Sequence, residues 1–172
     1  MHIVIDGYNL IRQSSQFSHL DQQDLQAGRD ALVDLLAAYK RIKTYKITVV
    51  FDGAGAPTGM PRRDRHKGIR LSFSQPGELA DAVIKRMAVR ERERLLVVSS
   101  DKEVSTYCAK KGASVIGAPE FEERLMLACL ADMKGAAESG TSDGWQPTTK
   151  KRGPSKRLPR RQRKMRQRIS KL

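Results

Sequence analysis

The sequence predicts an α/β fold in which an open parallel sheet is covered by helices on both faces. Short apolar runs alternate along the chain with segments whose apolar residues recur at helical spacing. This alternation is typical of strand–helix–strand units and therefore of a parallel sheet. Three of the apolar runs also end on an aspartate, as strands do when they deliver polar groups to one edge of a sheet.

The three runs that end on an acid are the strongest signal in the chain. They are HIVID at the start, KITVVFD ending at Asp52, and LLVVSSD ending at Asp101. Since the carboxyl ends of parallel strands meet at one sheet edge, we expect Asp6, Asp52 and Asp101 to approach one another, which is costly unless a cation lies between them. The competing interpretation is structural, because an aspartate after a strand often forms a turn or caps a helix.

The first half of the chain reads as loop, helix, strand, loop and strand. After the first strand we expect a polar loop at 12–20, and then a helix capped by Asp21 or Asp24 that runs to about Lys43. The strand ending at Asp52 is followed by a long loop, 53–68, which is rich in glycine and carries Arg62, Arg63, Arg65 and Lys67. Such a loop is either a plain solvated connection or one that orders on a polyanion. Residues 69–73 alternate as an edge strand does.

The second half repeats the alternation. A helix is expected from about Pro76 to Arg90, with Glu78 and Asp81 on one face of its start, either favouring the helix dipole or facing the strand-end aspartates. Ser100 and Glu103 have the spacing of a capping box, which would place Asp101 in the first turn of the next helix. A short strand at 113–116 and a last helix from Pro119 to about residue 134 complete the pattern.

Charge divides the chain into a domain and a tail. Twelve Lys or Arg and no acid lie in 150–172, so the tail holds most of the net charge of +14. We therefore expect a globular domain over 1–135, a linker over 136–149, and a basic tail over 150–172 that is too polar to fold alone and binds nucleic acid phosphate. The tail residues expected to contact RNA are Lys150, Lys151, Arg152, Lys156, Arg157, Arg160 and Arg161. The rival is a helix that docks on the core through Leu158, Met165, Ile169 and Leu172, whose spacings suit one helical face.

Several classes of function and location find no support in the sequence. No apolar run approaches the length of a membrane span, and a cytoplasmic protein without membrane association is expected. The glycines after Asp52 lack the lysine of a phosphate-binding loop, and the three histidines have no paired spacing, so no small-molecule cofactor is expected. The oligomeric state is left open.

Taken together, the motifs DGYN at 6–9, FD at 51–52, ELAD at 78–81 and SSD at 99–101 resemble the NYN branch of the PIN-like nucleases, and within it the YacP group. The resemblance covers about residues 1–134 and leaves out the basic tail. It implies a PIN-like sheet of about five parallel strands, an acidic cleft that binds Mg²⁺ or Mn²⁺, and cleavage of RNA, with ribosome-associated endoribonucleases among the group.

Under this interpretation, phosphodiester hydrolysis requires a metal held by carboxylates. Asp6 and Asp101 are the first-choice ligands, Asp81 completes the set directly or through water, and Asp52 and Glu78 are further candidates. Asn9 orients Asp6, contacts a phosphate or ribose oxygen, or simply forms a turn, and Ser100 either supports the ligands or caps a helix. The second class of function is a non-catalytic RNA-binding or ribosome-binding protein in which the acids serve only as caps.

Overall fold

The structure is a computed structural model that describes residues 1–19, 24–55, 61–137 and 159–172. Its strands are β1 (His2–Asp6), β2 (Lys46–Phe51), β3 (Arg63–His66), β4 (Ile69–Phe73), β5 (Leu95–Val98) and β6 (Ser114–Ile116). Its helices are α1 (Gly7–Gln13), α2 (Leu25–Ile42), α3 (Ala80–Glu91), α4 (Lys102–Lys110), α5 (Ala118–Ala137) and α6 (Arg160–Ile169). The alternation expected from the sequence is confirmed.

Among the described residues the strands form one sheet in the order β3-β4-β2-β1-β5-β6. The pairs β2–β4, β1–β2, β1–β5 and β5–β6 are parallel, whereas β3 pairs with β4 in antiparallel register. The order reverses between β1 and β5, because the chain moves outward on one side of β1 and then returns to the other. This is the switch point at which open α/β sheets bind ligands.

The sheet separates two apolar cores. On one face Ile3 and Ile5 of β1 pack with α1, α2 and α5, and on the other face Val4 packs with α3 and α4. Side chains alternate across a strand, so a strand buried on both faces must be apolar throughout. Every residue of β1 is buried, which explains why its sequence reads as an unbroken apolar run up to Asp6.

Three elements differ from the sequence-based expectations. Helix α1 begins directly after β1 and includes Arg12 and Gln13, where a loop was expected. The basic segment after Asp52 contains β3, which forms a hairpin with β4 and adds a sixth strand to the expected five. Leu10 and Ile11 of α1 are buried and give it an apolar face, but seven residues are too few for the helical period to be recognised.

The third difference concerns the basic tail, whose last part forms α6 and packs against the domain. Leu172 is 8% exposed and belongs to the core under α2, and the Tyr39 hydroxyl donates to its carbonyl oxygen at 3.0 Å. Arg124 of α5 donates to the carbonyl oxygen of Ile169 at 3.0 Å. Of the four residues of the rival docked helix, Ile169 and Leu172 bury apolar surface against the core, Met165 is 36% exposed, and Leu158 lies outside the described residues. The predicted linker and Lys150, Lys151, Arg152, Lys156 and Arg157 lie almost entirely outside the described residues.

Candidate metal and RNA site

The three strand-end aspartates lie at one edge of the sheet. Asp6 is the last residue of β1, Asp52 follows β2, and Asp101 follows β5 after two serines. Because β1 lies between β2 and β5, the three carboxylates stand on adjacent strands at the carboxyl edge of the sheet. Asp81 joins them from the first turn of α3, since the backbone N–H of its neighbour Ala80 donates to Oδ1 of Asp52 at 2.6 Å.

Each strand-end aspartate also stabilises the start of a helix. Oδ1 of Asp6 accepts from the backbone N–H of Asn9 at 3.2 Å, and Oδ1 of Asp101 accepts from Glu103 and Val104 at 2.7 and 2.9 Å. Asp6 and Asp101 are thus N-caps of the ordinary kind, whereas Asp52 accepts from the first backbone N–H of α3 as a residue distant in the chain. The structural interpretation of the acids is therefore correct as far as it goes. Each of these caps occupies Oδ1 and leaves Oδ2 for another partner.

Neighbouring aspartates affect the pKa values of Asp6 and Asp81. Burial raises the pKa of Asp6 to about 6, and the negative charges of Asp81 and Asp52 add to the shift, although hydrogen bonds from Asn9 and Ser99 oppose it. The pKa of Asp81 is raised as well, first by burial and then by the charges of Asp101 and Asp52. Mutual repulsion of this kind is relieved by a proton or by a cation.

Ser99 connects Asp6 with Asp101, a role that was not predicted from the sequence. Its hydroxyl, 1% exposed, donates to Oδ2 of Asp6 at 3.3 Å and accepts from the backbone N–H of Asp101 at 3.2 Å. It thus connects the ends of β1 and β5 across the switch point. The signal in the sequence was a serine that directly follows an apolar strand and precedes Ser100 and Asp101. A hydroxyl buried there adds no apolar surface to the core, which indicates a hydrogen-bonding role.

Asn9 and Ser100 also connect the segments that follow β1 and β5. Oδ1 of Asn9 accepts from the backbone N–H of Ser100 at 2.9 Å, so the amide orients the loop that carries Asp101. The hydroxyl of Ser100 accepts from the backbone N–H of Ala118 at 3.0 Å, at the start of α5. The predicted capping box is therefore wrong: Asp101 itself caps α4, and Ser100 supports a different helix because its loop turns towards α5.

Glu78 lies apart from the aspartates. Helix α3 begins at Ala80 rather than near Pro76, because Gly77 adopts a φ of 79° and the chain turns there before the helix starts. The Glu78 carboxylate is ion-paired with Arg86 and accepts from the backbone N–H of Gln75 at 3.2 Å, and the pairing with Arg86 lowers its pKa. The structure does not bring Glu78 to the predicted metal site.

The basic residues expected to contact RNA divide into two groups. Arg62 and Arg63 line a surface groove beside α3, together with Lys85, Arg86 and Arg90. Arg65 lies farther along the hairpin. The other group is distant from the acids: Lys67 is ion-paired with Asp34 of α2, and Arg160 and Arg161 belong to α6.

The donor set suits a hard divalent cation. In the described part of the chain, no group of three His, Cys, Asp or Glu side chains is placed so that it could hold a metal ion. Mg²⁺ does not need such a group, because it keeps several waters and binds through one or two carboxylates and substrate phosphates. Carboxylate oxygens, excess negative charge and an open sheet edge are features that suit such an ion.

Comparison with known proteins agrees with the fold. The family model described as the YacP-like NYN domain matches residues 3–169, so the match includes α6 and the expectation that the resemblance ends near residue 134 is wrong. The curated protein named "Uncharacterized protein YacP", from Bacillus subtilis (strain 168), is 28% identical over 86 residues. That alignment spans 50% of each chain, or about half the length of the relative.

Two crystal structures of Rae1 (YacP) from Bacillus subtilis share the architecture. One has a TM-score of 0.68 at 21% identity and covers 80% of each chain. The other, a mutant with one tryptophan replaced by leucine, has a TM-score of 0.66 at 19% identity and covers 83% of this chain and 87% of that one. At these identities the likeness concerns the fold. Separately, no helix in the described ranges is long and apolar enough to cross a membrane.

Proposed function

The chain belongs to the YacP-like NYN domain family, whose domains are nuclease-like, and from this premise we propose that it is a metal-dependent endoribonuclease that hydrolyses RNA phosphodiester bonds. The observation that carries the proposal is the cluster of four aspartates at the switch point of the sheet, where burial and repulsion disfavour the charged forms of Asp6 and Asp81. A cation is the natural partner of such a cluster when RNA is the substrate.

In this proposal Asp6 and Asp101 hold the cation, Asp81 contacts it directly or through water, and Asp52 maintains Asp81 in place through α3. A bound Mg²⁺ or Mn²⁺ would supply charge neutralisation and a more acidic water for attack on phosphorus. Because the pKa of Asp6 is about 6, protons compete with the cation for this carboxylate below neutral pH.

The remaining residues of the site act on the acids and on the RNA. Ser99 and Asn9 keep the loops of β1 and β5 in a fixed relation, so that the carboxylates of Asp6 and Asp101 are held near each other. Arg62 and Arg63 provide positive charge near the acids, which favours approach of a phosphate that the carboxylates alone would repel. RNA is the substrate class that this arrangement and the family membership support, and mRNA on the ribosome is the particular substrate that the test below includes.

A second function has its own observation in favour. Since Asp6 and Asp101 cap helices, Asp52 accepts from Ala80, and no group of three such side chains in the described residues could hold a metal ion, the same side chains would be needed in a non-catalytic RNA-binding or ribosome-binding protein. The two functions differ in what Asn does in place of Asp. Asn retains Oδ1 as a cap acceptor but removes the negative charge that binds a cation.

The test is therefore cleavage by the full chain and by Asp6→Asn and Asp101→Asn. End-labelled RNA, free or bound to ribosomes, is incubated with Mn²⁺ or with a chelator, and Asp132→Asn, an exposed change on α5, is the matched control. We expect cleavage by the wild type and the control with Mn²⁺ only, and at least a hundredfold loss in both site variants, in keeping with the usual contribution of such groups (~10²-fold or more). Folded site variants with full activity, or a wild type that binds RNA and never cuts it, would reject the nuclease.

A further inference from the structure

A surface groove of about 860 Å³ lies along α3, and the proposed cleavage chemistry gives it no role. It is lined by residues from the β3–β4 hairpin, from the outer side of α3 and from α4. It begins close to the site, because Lys85 lies one helical turn after Asp81 and is ion-paired at 2.5 Å with Glu103, which follows Asp101 on α4. The hydrogen bond with Glu103 raises the pKa of Lys85, and the charges of Glu103, Asp81 and Asp101 add to the shift.

The polar part of the groove is strongly cationic. Five cations line it, Arg62, Arg63, Lys85, Arg86 and Arg90, against the single carboxylate of Glu78. Arg62 and Arg63 are exposed and form no ion pair with any other described residue. The pairs of Arg86 and Arg90 with glutamates lie at the surface, where ion pairs contribute little and a phosphate can replace the partner.

The rest of the lining is apolar and includes one aromatic ring. Val83, Met87 and Val89 of α3 contribute aliphatic surface, and Val89 is 43% exposed. Tyr107 of α4 is half-buried, and Nζ of Lys85 lies 5.8 Å from the centroid of its ring. An aromatic ring beside a cation offers one surface for a base and one for its phosphate.

The combination distinguishes between forms of RNA. A duplex turns its phosphates outward and its bases inward, so it would use the cations of the groove and leave the apolar lining in water. An unpaired strand presents both its phosphates and its base faces and can use both. We propose that this groove binds an unpaired segment of the RNA next to the cleaved bond, with Tyr107 as the stacking platform and Arg62 and Arg63 as phosphate contacts. The proposal rests on the proposed function, in which the neighbouring aspartates cut the same strand.

The experiment measures binding without cleavage. A dye-labelled RNA of about a dozen nucleotides, unpaired or as a blunt duplex, is titrated with the full chain in the presence of a chelator, and fluorescence anisotropy is followed at several salt concentrations. We expect the unpaired form to bind more tightly. We also expect Tyr107→Leu to weaken its binding roughly tenfold without changing the salt slope, as loss of a stacked base does.

The variants should separate the contribution of the cations to RNA affinity from that of the stacked ring. Arg62→Ala and Arg63→Ala should each weaken binding and make the salt slope shallower by about 0.7, as loss of one phosphate contact to a single strand does. Arg41→Ala, an exposed cation of α2, is the matched control and should leave both values unchanged. Equal affinity for duplex and unpaired RNA, or unchanged binding by Tyr107→Leu, would overturn the proposal that the groove binds unpaired RNA.

Failure of the nuclease gives a different result. If Asp101→Asn binds unpaired RNA as the wild type does while neither cleaves, the groove stands and the proposed activity falls. If Tyr107→Leu and Arg62→Ala cut RNA with unchanged KM, the activity stands and the groove falls.

Discussion

Asp6 combines two roles that are usually separate, because one carboxylate caps α1 with Oδ1 and faces three other acids. Gly7 makes this close arrangement possible: a Cβ atom there would stand 2.2 Å from the ring of Phe51, so any side chain would push the loop away from β2. The Asp-Gly pair of the sequence is thus a packing requirement as well as part of the site.

The first prediction concerns the charge of Asp6. Its folded pKa of about 6 lies above the ordinary value of 3.8, so the folded protein binds a proton that the unfolded chain releases. Ionisation therefore lowers stability as pH rises from about 4 to 6, and the cost, roughly 2 to 3 kcal/mol, is fully present at pH 7. Asp6→Asn should remove it and stabilise the metal-free protein at pH 7 but hardly at pH 4.

Denaturant unfolding at the two pH values, with and without Mn²⁺, checks this prediction. The wild type should gain stability from Mn²⁺ at pH 7, and Asp6→Asn should gain little. The control Asp132→Asn should behave as the wild type. A variant that is less stable than the wild type at pH 7 would contradict the repulsion on which the site is argued.

The second prediction concerns Ser99. Its hydroxyl lowers the pKa of Asp6 through a hydrogen bond, so Ser99→Ala should raise that pKa and shift the pH dependence of Mn²⁺ binding to higher pH. Loss of the two bonds should also cost about 1 to 2 kcal/mol of stability. Calorimetric titration with Mn²⁺ between pH 5.5 and 8 measures the shift, and Ser105→Ala, whose hydroxyl donates to the backbone of Ser99, is the control. An unchanged pH profile would reduce Ser99 to a structural residue.

At the scale of elements, α6 is the feature that the amino acid pattern describes least well. It is strongly basic and has few apolar residues, yet its end is held by hydrogen bonds from Tyr39, Lys43 and Tyr45 to the carbonyls of Leu172 and Lys171. At its other side Lys164 is ion-paired with Glu93 at 3.0 Å. Helix α6 is therefore part of the folded domain.

The third prediction follows from this docking. Leu172→Ala should lower the free energy of unfolding by about 2 to 3 kcal/mol, because the side chain is buried in the main core. Met165→Ala on the same helix should cost below ~1 kcal/mol, since Met165 is 36% exposed. A chain ending at Thr149 should lose stability as Leu172→Ala does. Urea unfolding measures all three, and an unchanged midpoint for Leu172→Ala would mean that α6 contributes only charge.

At the scale of the whole molecule, the aspartates of the site and the basic residues of α6 lie at opposite edges of the sheet. Arg168 of α6 donates to Ser114 at the start of β6, and Lys164 pairs with Glu93 just before β5. These are the amino ends of parallel strands, whereas the aspartates follow the carboxyl ends. An RNA that contacts both must extend along the strands, which span roughly 17 Å for five residues.

The fourth prediction tests whether α6 contributes to RNA affinity from that distance. Arg166 is exposed on α6, and Arg166→Glu should weaken RNA binding and reduce the salt slope by roughly 1 while leaving the cleavage rate at saturating RNA unchanged. Arg41→Glu on α2 changes the net charge equally and is the control. If both variants weaken binding to the same degree, the effect belongs to net charge and not to α6.

The sequence by itself determined the α/β class, the parallel strands and the meeting of Asp6, Asp52 and Asp101. These follow from local rules: strands buried on both faces must be apolar, and their carboxyl ends share an edge whatever the rest of the chain does. The acid at the end of each run could be read directly for the same reason.

Only the tertiary structure decided which acidic side chains lie close together and which basic side chains lie near them. Glu78 and Asp81 have the spacing of one helical face, but the helix begins only at Ala80, so Glu78 lies before it, and an ion pair with Arg86 holds Glu78 in the groove. Ser99 bridges two strands that are 93 residues apart in the chain, which no local pattern encodes. The docking of α6 depends likewise on the core offering a place for Leu172. Contacts between distant segments are set by packing, and they determined the parts of the site that the sequence left open.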